Sequence, residues 1–158
     1  MIEKQIYAKL RQVIPDMENR LATGIRYGKS KVNGYMDLNY DYLGSQGEGQ
    51  YTIALAHNYV QNGDVVPDPD MQIQIDTNAK TAEAMTFQNL YVYQEVLART
   101  TPPEPKNEKL RKELNLFLSQ WLNNAIEQGH RIDFSEAELE LTNLRRRDDK
   151  NPENEIDR

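Results

Sequence analysis

The sequence has no cysteine, only two histidines and one tryptophan, and no apolar run long enough to cross a membrane. The absence of cysteine excludes disulfides, thiolate nucleophiles and cysteine-based zinc or iron–sulfur centres. The first residues lack the basic and then apolar pattern of a secretory signal, so we expect a cytoplasmic protein without membrane association. The serine-nucleophile elbow, the phosphate-binding loop and the His-Glu-x-x-His zinc pattern are also absent.

The length of 158 residues, with 38% hydrophobic residues, predicts one domain over residues 1–144. Residues 145–158 are predicted to form a charged, disordered tail, because they contain almost nothing apolar to bury. The net charge is −6, and the acidic side chains gather in the middle of the chain: residues 32–103 hold nine acidic and two basic residues. A negative middle repels a phosphate backbone and favours cationic partners.

Two segments carry apolar residues at helical spacing. The pattern over residues 2–14 predicts an N-terminal helix of about three turns, which Pro15 ends. The pattern over residues 110–126 predicts a long amphipathic helix with Gly129 as its stop. A further short helix is predicted from Ser135 onward.

Alternation of apolar and polar residues predicts strands between the two main helices. The glycine-rich stretch 43–50 is predicted to be a loop longer than a two-residue turn, and residues 65–70 an extended connection stiffened by proline. Residues 90–97 fit a strand or a short helix, and we favour the strand. The predicted fold class is α+β: an antiparallel meander of four or five strands, packed against the N-terminal helix and the long C-terminal helix. The predicted strands are residues 32–42, 51–61, 71–76, 80–87 and 90–97.

The densest polar cluster is formed by His57, Asp64, Asp68 and Asp70, at a strand end and in the turn after it. Carboxylates on a turn can hold a divalent cation, and an imidazole can join them when the ion is a transition metal. His57, Asp64 and Asp68 are therefore the metal candidates, and His57 is also the catalytic candidate, as a general base beside Asp64 or Glu83. The simpler interpretation, which we favour, is that these aspartates bond to nearby backbone amides. No cofactor is expected on that interpretation.

A second candidate surface combines acidic and aromatic side chains. Tyr35 is predicted to lie on a strand face beside Asp37 and Asp41, and Asp68 and Asp70 extend the negative charge. We expect these five residues to bind a protein partner, with Tyr35 as the apolar anchor. An exposed edge strand could also pair two copies, so a dimer is compatible with the sequence.

Between about residues 50 and 97 the sequence contains the pattern His-x-Tyr-x-Gln-Asn-Gly-Asp, then Asp-Pro-x-Met, then Tyr-Gln-Glu. In this signature the chain resembles a family of small proteins and domains encoded on bacterial plasmids, conjugative transposons and phages. A looser similarity to a second bacterial family covers residues 69–129. Neither resemblance brings a catalytic residue. The runs that resemble each family are residues 57–71, 84–89 and 93–96 for the first, and 70–73, 82–83 and 117–122 for the second.

The resemblance implies accessory cargo of a mobile element, a setting in which small acidic proteins disarm host defences. The preferred hypothesis is a non-enzymatic inhibitor of a defence nuclease, of anti-CRISPR or anti-restriction type, that presents its carboxylates to a basic nucleic-acid channel. The alternative is a metal-assisted hydrolase or nuclease that acts on nucleotide or RNA through His57, Asp64 and Asp68. A third class is a nucleic-acid binder that uses the basic stretch 20–31.

Overall fold

The computed structural model describes residues 1–98, 104–105 and 107–149. This part of the chain forms four helices and nine strands, in the order α1, α2, β1 to β9, α3, α4. The helices are α1 (Ile2–Val13), α2 (Met17–Thr23), α3 (Glu108–Gln128) and α4 (Ser135–Asp149). The strands are β1 (Tyr27–Ser30), β2 (Leu38–Gly47), β3 (Gln50–Gln61), β4 (Asp64–Asp76), β5 (Thr81–Ala84), β6 (Thr86–Gln88), β7 (Tyr93–Glu95), β8 (Leu97–Ala98) and β9 (Glu104–Pro105).

The strands form one main antiparallel sheet, so the predicted α+β class is confirmed. Its order is β1-β2-β3-β4-β6-β7, with β5 paired to β4 beside β6, which makes seven strands in place of the four or five predicted. Within the part of the chain that the structure describes, strands β8 and β9 pair only with each other. Strands β3 and β4 form the centre of the sheet, and both are long.

Helices α1 and α3 pack on one face of the sheet, which we call the inner face. Side chains of α1, including Ile6 and Leu10, are fully buried in one hydrophobic cluster with Ile53 and Leu55 of β3. Burial of each such side chain contributes about 1.5–3 kcal/mol. Both predicted helices are confirmed; α1 ends where Pro15 forces Ile14 into an extended conformation.

The first predicted strand is wrong in its bounds. Residues 32–37 form turns, because the amide of Tyr35 bonds to the carbonyl of Val32, and the strand begins only at Leu38. A short strand, β1, precedes it in the segment between the predicted N-terminal helix and the first predicted strand, for which no element was predicted. Helix α2 lies in the same segment, after the N-cap Asp16 and before the C-cap Gly24. Its seven residues are too few for a helical period to stand out.

Both predicted connections inside the meander are also wrong. Strand β2 continues to Gly47 and pairs with Gln50, so a two-residue turn at Glu48 and Gly49 replaces the predicted loop. Two register irregularities near Gly44 and Gly47 keep the ladder paired through the glycine-rich stretch. The predicted connection 65–70 belongs to β4, which pairs with β3 along almost its whole length.

The remaining strand predictions need smaller changes. The predicted strand 80–87 is two short strands, β5 and β6, interrupted at Met85, whose amide bonds to the carbonyl of Gln72. Residues 93–95 and 97–98 are strands, as favoured. Helix α4 continues to Asp149, five residues into the segment predicted to be a disordered tail, and residues 150–158 lie outside the described residues.

Candidate functional site

The face of the sheet opposite α1 and α3 carries an open groove, bordered by the start of β1 and by α4. Two adjoining depressions, of about 730 and 530 Å³, form it and share Tyr27 and Asp41. Ala54 of β3 gives part of its floor, and Glu136 and Glu140 of α4 line its side. We call this feature the outer groove. The small alanine leaves room above the central strand for a ligand or for a partner side chain.

Asp41 and Asp70 lie on either side of β3 in this groove. Asp41 pairs in register with Ala54, and Asp70 pairs with Ala56, so the two carboxylates flank the pair of alanines. Partial burial raises the pKa of Asp41, and burial together with the negative charge of Asp41 raises the pKa of Asp70. Among the described residues, neither carboxylate forms an ion pair. The groove therefore holds two desolvated acids that form no ion pair with a described residue, although Arg26 lines the same depression.

The outer groove contains both signs of charge, with acid in excess. Lys29, Lys31 and Arg131 line the larger depression, whereas Arg26 lies with Asp41, Asp70 and Glu140 around the smaller one. Burial and a hydrogen bond with Glu140 raise the pKa of Tyr27. Four basic residues, Arg26, Lys29, Lys31 and Arg131, face six acidic ones, Asp37, Asp41, Asp70, Asp133, Glu136 and Glu140.

The two histidines of the chain meet beneath the sheet. His57 lies on the inner face of β3, and His130 follows the C-cap of α3, Gly129. Their ring centres are 5.6 Å apart, and the ring of Trp121 stands edge-on to His57 at 5.4 Å. His57 is 7% exposed and His130 1% exposed. We call these two rings the histidine pair.

Local backbone irregularities place the histidine pair. The β3–β4 register shifts between Ala56 and Asn58, so His57 lies at a bulge, a feature that re-aims a side chain. The amide of His130 donates to the carbonyl of Ala125. The segment after His130 then pairs with β1, through two hydrogen bonds between Lys29 and Asp133.

Each imidazole is fixed through its Nδ1 atom. Nδ1 of His57 lies 2.9 Å from the carbonyl oxygen of Asp37, and a carbonyl only accepts, so Nδ1 of His57 carries the proton. Nδ1 of His130 lies 2.8 Å from Oγ of Ser30, which also accepts the amide of Arg131 at 2.9 Å. Nε2 of His130 is buried and has no hydrogen-bond partner. Burial and the nearby His57 lower the pKa of His130, against a smaller opposite effect of Asp37.

The structure brings together only some of the predicted partner-binding residues. Asp37 and Asp41 line the larger depression, and Asp41 and Asp70 line the smaller one. Tyr35 is 53% exposed in the turn before β2, and Asp68 is exposed on β4; neither lines the groove.

The metal and catalytic candidates lie apart. His57 faces the core, whereas Asp64 begins β4 at the turn after β3 and Asp68 lies exposed further along β4. Within the described residues, no three His, Asp or Glu side chains are grouped as metal ligands. Glu83, the other suggested partner of His57, instead forms an ion pair with Arg111 of α3.

Sequence reasoning missed Ser30, did not expect His130 to lie beside His57, and considered Tyr27 only as part of the basic stretch 20–31. The two histidines lie 73 positions apart in the sequence, and a long-range contact of this kind has no spacing signal. Arg26, Lys29 and Lys31 were noted only as a basic stretch for nucleic acid. In the structure they line a groove with an excess of carboxylates, and Arg20 of the same stretch pairs with Glu138 and lies 4.8 Å from the ring centre of Phe134.

Fold and groove together define an α+β protein with an open polar groove on the uncovered sheet face. A family model described as a domain of unknown function, DUF6908, matches residues 5–131, and the chain belongs to this family. The matched region includes both histidines and the strands of the groove. No curated protein and no solved structure matches the chain. The mobile-element resemblance stays a prediction. No helix in the described ranges combines the length and hydropathy needed to cross a bilayer.

Proposed function

We propose that the protein is a non-enzymatic binding protein whose outer groove receives a basic segment of a partner protein. The observation that carries this proposal is the pair Asp41 and Asp70, two partly desolvated carboxylates that form no ion pair with a described residue. Desolvation without a partner costs free energy in the isolated protein, and perturbed acids of this kind cluster at functional sites. A bound lysine or arginine would recover that free energy.

The charge pattern favours a polypeptide over a nucleic acid. The six acidic and four basic side chains give the groove an excess of negative charge, which repels phosphates. A protein segment can place its own basic side chains near Asp41 and Asp70, and acidic ones near Lys29 and Lys31. Such complementarity supplies specificity and fast association more than raw affinity.

The narrower proposal concerns the identity of the partner. It is a host defence nuclease of CRISPR or restriction type, which the protein inhibits by occupying its basic nucleic-acid channel. Support for this partner comes from the resemblance to proteins of mobile elements together with the acidic groove. The groove supports a cationic partner of any identity, so the two levels of the proposal are tested separately.

The first experiment compares two double charge reversals. Asp41→Lys with Asp70→Lys changes the groove, whereas Asp64→Lys with Asp68→Lys gives the same change of net charge at exposed sites outside it. Wild-type protein and the control variant are expected to capture the same protein from a bacterial lysate, and the groove variant is expected to lose it. The interaction should weaken as salt is added. Equal binding by all three proteins, or equal loss in both variants, would contradict a groove-specific site.

The second experiment tests the narrower proposal. The captured protein is assayed for nuclease activity with increasing amounts of wild-type or groove-variant protein. Inhibition by the wild type alone supports the nuclease partner. Capture of a protein without nuclease activity leaves the binding function in place and rejects the nuclease as its target.

A further inference from the structure

Each ring of the histidine pair is fixed by a hydrogen bond at Nδ1, as in histidines that bind a metal ion through the other ring nitrogen. A histidine that binds a metal through one ring nitrogen usually donates the other N–H to a carbonyl, carboxylate or hydroxyl, which fixes the ring. His57 donates from Nδ1 to the carbonyl of Asp37, and Nδ1 of His130 bonds to Ser30. In both rings the remaining atom is Nε2, the usual metal-binding nitrogen.

The hydrogen bonds of both rings use Nδ1, which leaves Nε2 as the remaining ring nitrogen. Metal binding needs the Nδ1–H form of His130, in which Oγ of Ser30 accepts from both Nδ1 and the amide of Arg131. Because Nδ1 of His57 donates to a carbonyl oxygen, Nε2 is the ring nitrogen whose lone pair can bind a metal ion. Nε2 of His130 is buried without a partner in a side chain that is 1% exposed. A buried polar atom without a partner costs about 1–3 kcal/mol, and native proteins keep few of them without a reason.

The separation of the rings suits a shared ion. Two imidazoles that bind one zinc ion at Zn–N distances of about 2.0–2.1 Å have ring centres roughly 5–6 Å apart. The observed distance is 5.6 Å, and the planes are inclined at 50°. Asp37, whose carbonyl holds His57, also lies close enough to influence the charge of His130, so negative charge is available nearby. Water would complete the coordination of an ion bound by two protein nitrogens.

We propose that His57 and His130 bind one divalent transition-metal ion of the zinc class through their Nε2 atoms. The site differs from the one predicted by sequence, because His130 replaces Asp64 and Asp68 as the partner of His57. It is also separate from the outer groove, since neither histidine lines it, although Asp37 belongs to both. Imidazole nitrogens select zinc, nickel and copper over magnesium and calcium, which prefer oxygen.

The experiment is a Zn²⁺ titration of the full-length, ¹⁵N-labelled protein, followed through the imidazole nitrogens by NMR. The chain has only two histidines, so the spectrum contains two ring systems and each can be assigned with one variant. Saturable binding of one ion should move the Nε2 resonances of both rings together. Zn²⁺ should also raise the melting temperature, because the ion binds the folded state.

His57→Asn and His130→Asn test the two ligands, because asparagine keeps a polar group near the position of Nδ1 and has none at Nε2. Each variant is expected to bind Zn²⁺ at least tenfold more weakly. Asp64→Asn with Asp68→Asn is the matched control and should bind like wild type. Binding that leaves either ring unmoved, absence of saturable binding by the folded wild type, or loss in the control would overturn the proposal. The wild-type spectra decide it even if a histidine variant does not fold.

Discussion

Asp41 on β2 and Asp70 on β4 stand on opposite sides of β3, and Ala54 and Ala56 lie between them on the outer face. Neither carboxylate forms an ion pair among the described residues, and the pKa of each is raised. The charged form of each carboxylate is therefore less stable in the folded protein than it would be in water. A groove built only for stability would carry neutral side chains at these positions.

Asp70→Asn should stabilise the protein at pH 7. A raised folded-state pKa contributes stability at acidic pH that is lost as the pH rises through that pKa, so the charged form destabilises the fold at neutral pH. Asparagine removes this penalty, and we expect a gain of about 0.5 kcal/mol or more, as for other surface-charge improvements. Urea unfolding measures it, and the gain should disappear at pH 3. Asp64→Asn at the exposed turn should change stability little, and a loss of stability in Asp70→Asn would contradict the assignment.

His130 should make the protein less stable in mild acid. Burial lowers its folded-state pKa below 6.5, so the unfolded chain takes up the proton first as the pH falls. The histidine therefore contributes stability above about pH 6.5, and this contribution is lost as the pH drops towards the lower folded-state value. We expect the free energy of unfolding to be smaller at pH 5 than at pH 7.5. His130→Asn should flatten that difference, and an equal difference in wild type and variant would exclude His130 as its source.

Asn115 should be important to the contact between α3 and β5. Its buried Oδ1 accepts the amide of Ala84 at 2.8 Å. Asn115→Ala leaves that amide without a partner inside the protein, and we expect a loss of about 1–3 kcal/mol in unfolding free energy. Asn124→Ala, on the exposed side of the same helix, should cost no more than about 0.5 kcal/mol. Similar losses of unfolding free energy in the two variants would show that the buried hydrogen bond of Asn115 does not stabilise the fold more than an exposed side chain does.

Replacement of Gly28 by any larger residue should destabilise the protein. A Cβ atom there would lie 2.5 Å from Cγ2 of Ile132 and 2.8 Å from Cδ1 of Phe134, both of which are buried. We expect Gly28→Ala to cost about 1–3 kcal/mol by overpacking and to lower the melting temperature by several degrees. Lys29→Ala, at the exposed neighbouring position, serves as the control in the same thermal scans. A melting temperature for Gly28→Ala equal to that of the control would show that the segment before α4 can move away freely.

The elements with a strong and uninterrupted period could be predicted from sequence. Helix α1 shows the helical period up to Pro15, helix α3 shows it up to Gly129, and β3 alternates from Gln50 to Gln61. Most of the repeating residues of α1 and those at the centre of β3 are buried, whereas Phe117 on the periodic face of α3 is 42% exposed. Local periodicity and burial agree over most of these elements, so the prediction succeeds.

The predicted loop and the predicted connection were wrong because glycine and proline, which usually indicate turns, lie within paired strands here. Gly44 and Gly47 indicated a loop, but they lie in irregular parts of a paired strand. Pro69 indicated a connection, yet it is buried within β4. Pairing with β3 supplied the hydrogen bonds that made strands of both segments, and such pairing depends on a partner elsewhere in the chain.

The sequence by itself determined the α+β class, the amphipathic helices and the acidic middle of the chain, because each follows from composition or from contacts between near neighbours. Only the tertiary structure decided that Asp41 and Asp70 share a groove and that His57 meets His130. The first result needed the register of three strands, and the second a bulge in β3 together with the return of the chain after α3. Both depend on contacts between residues far apart in the sequence, and no local pattern encodes them.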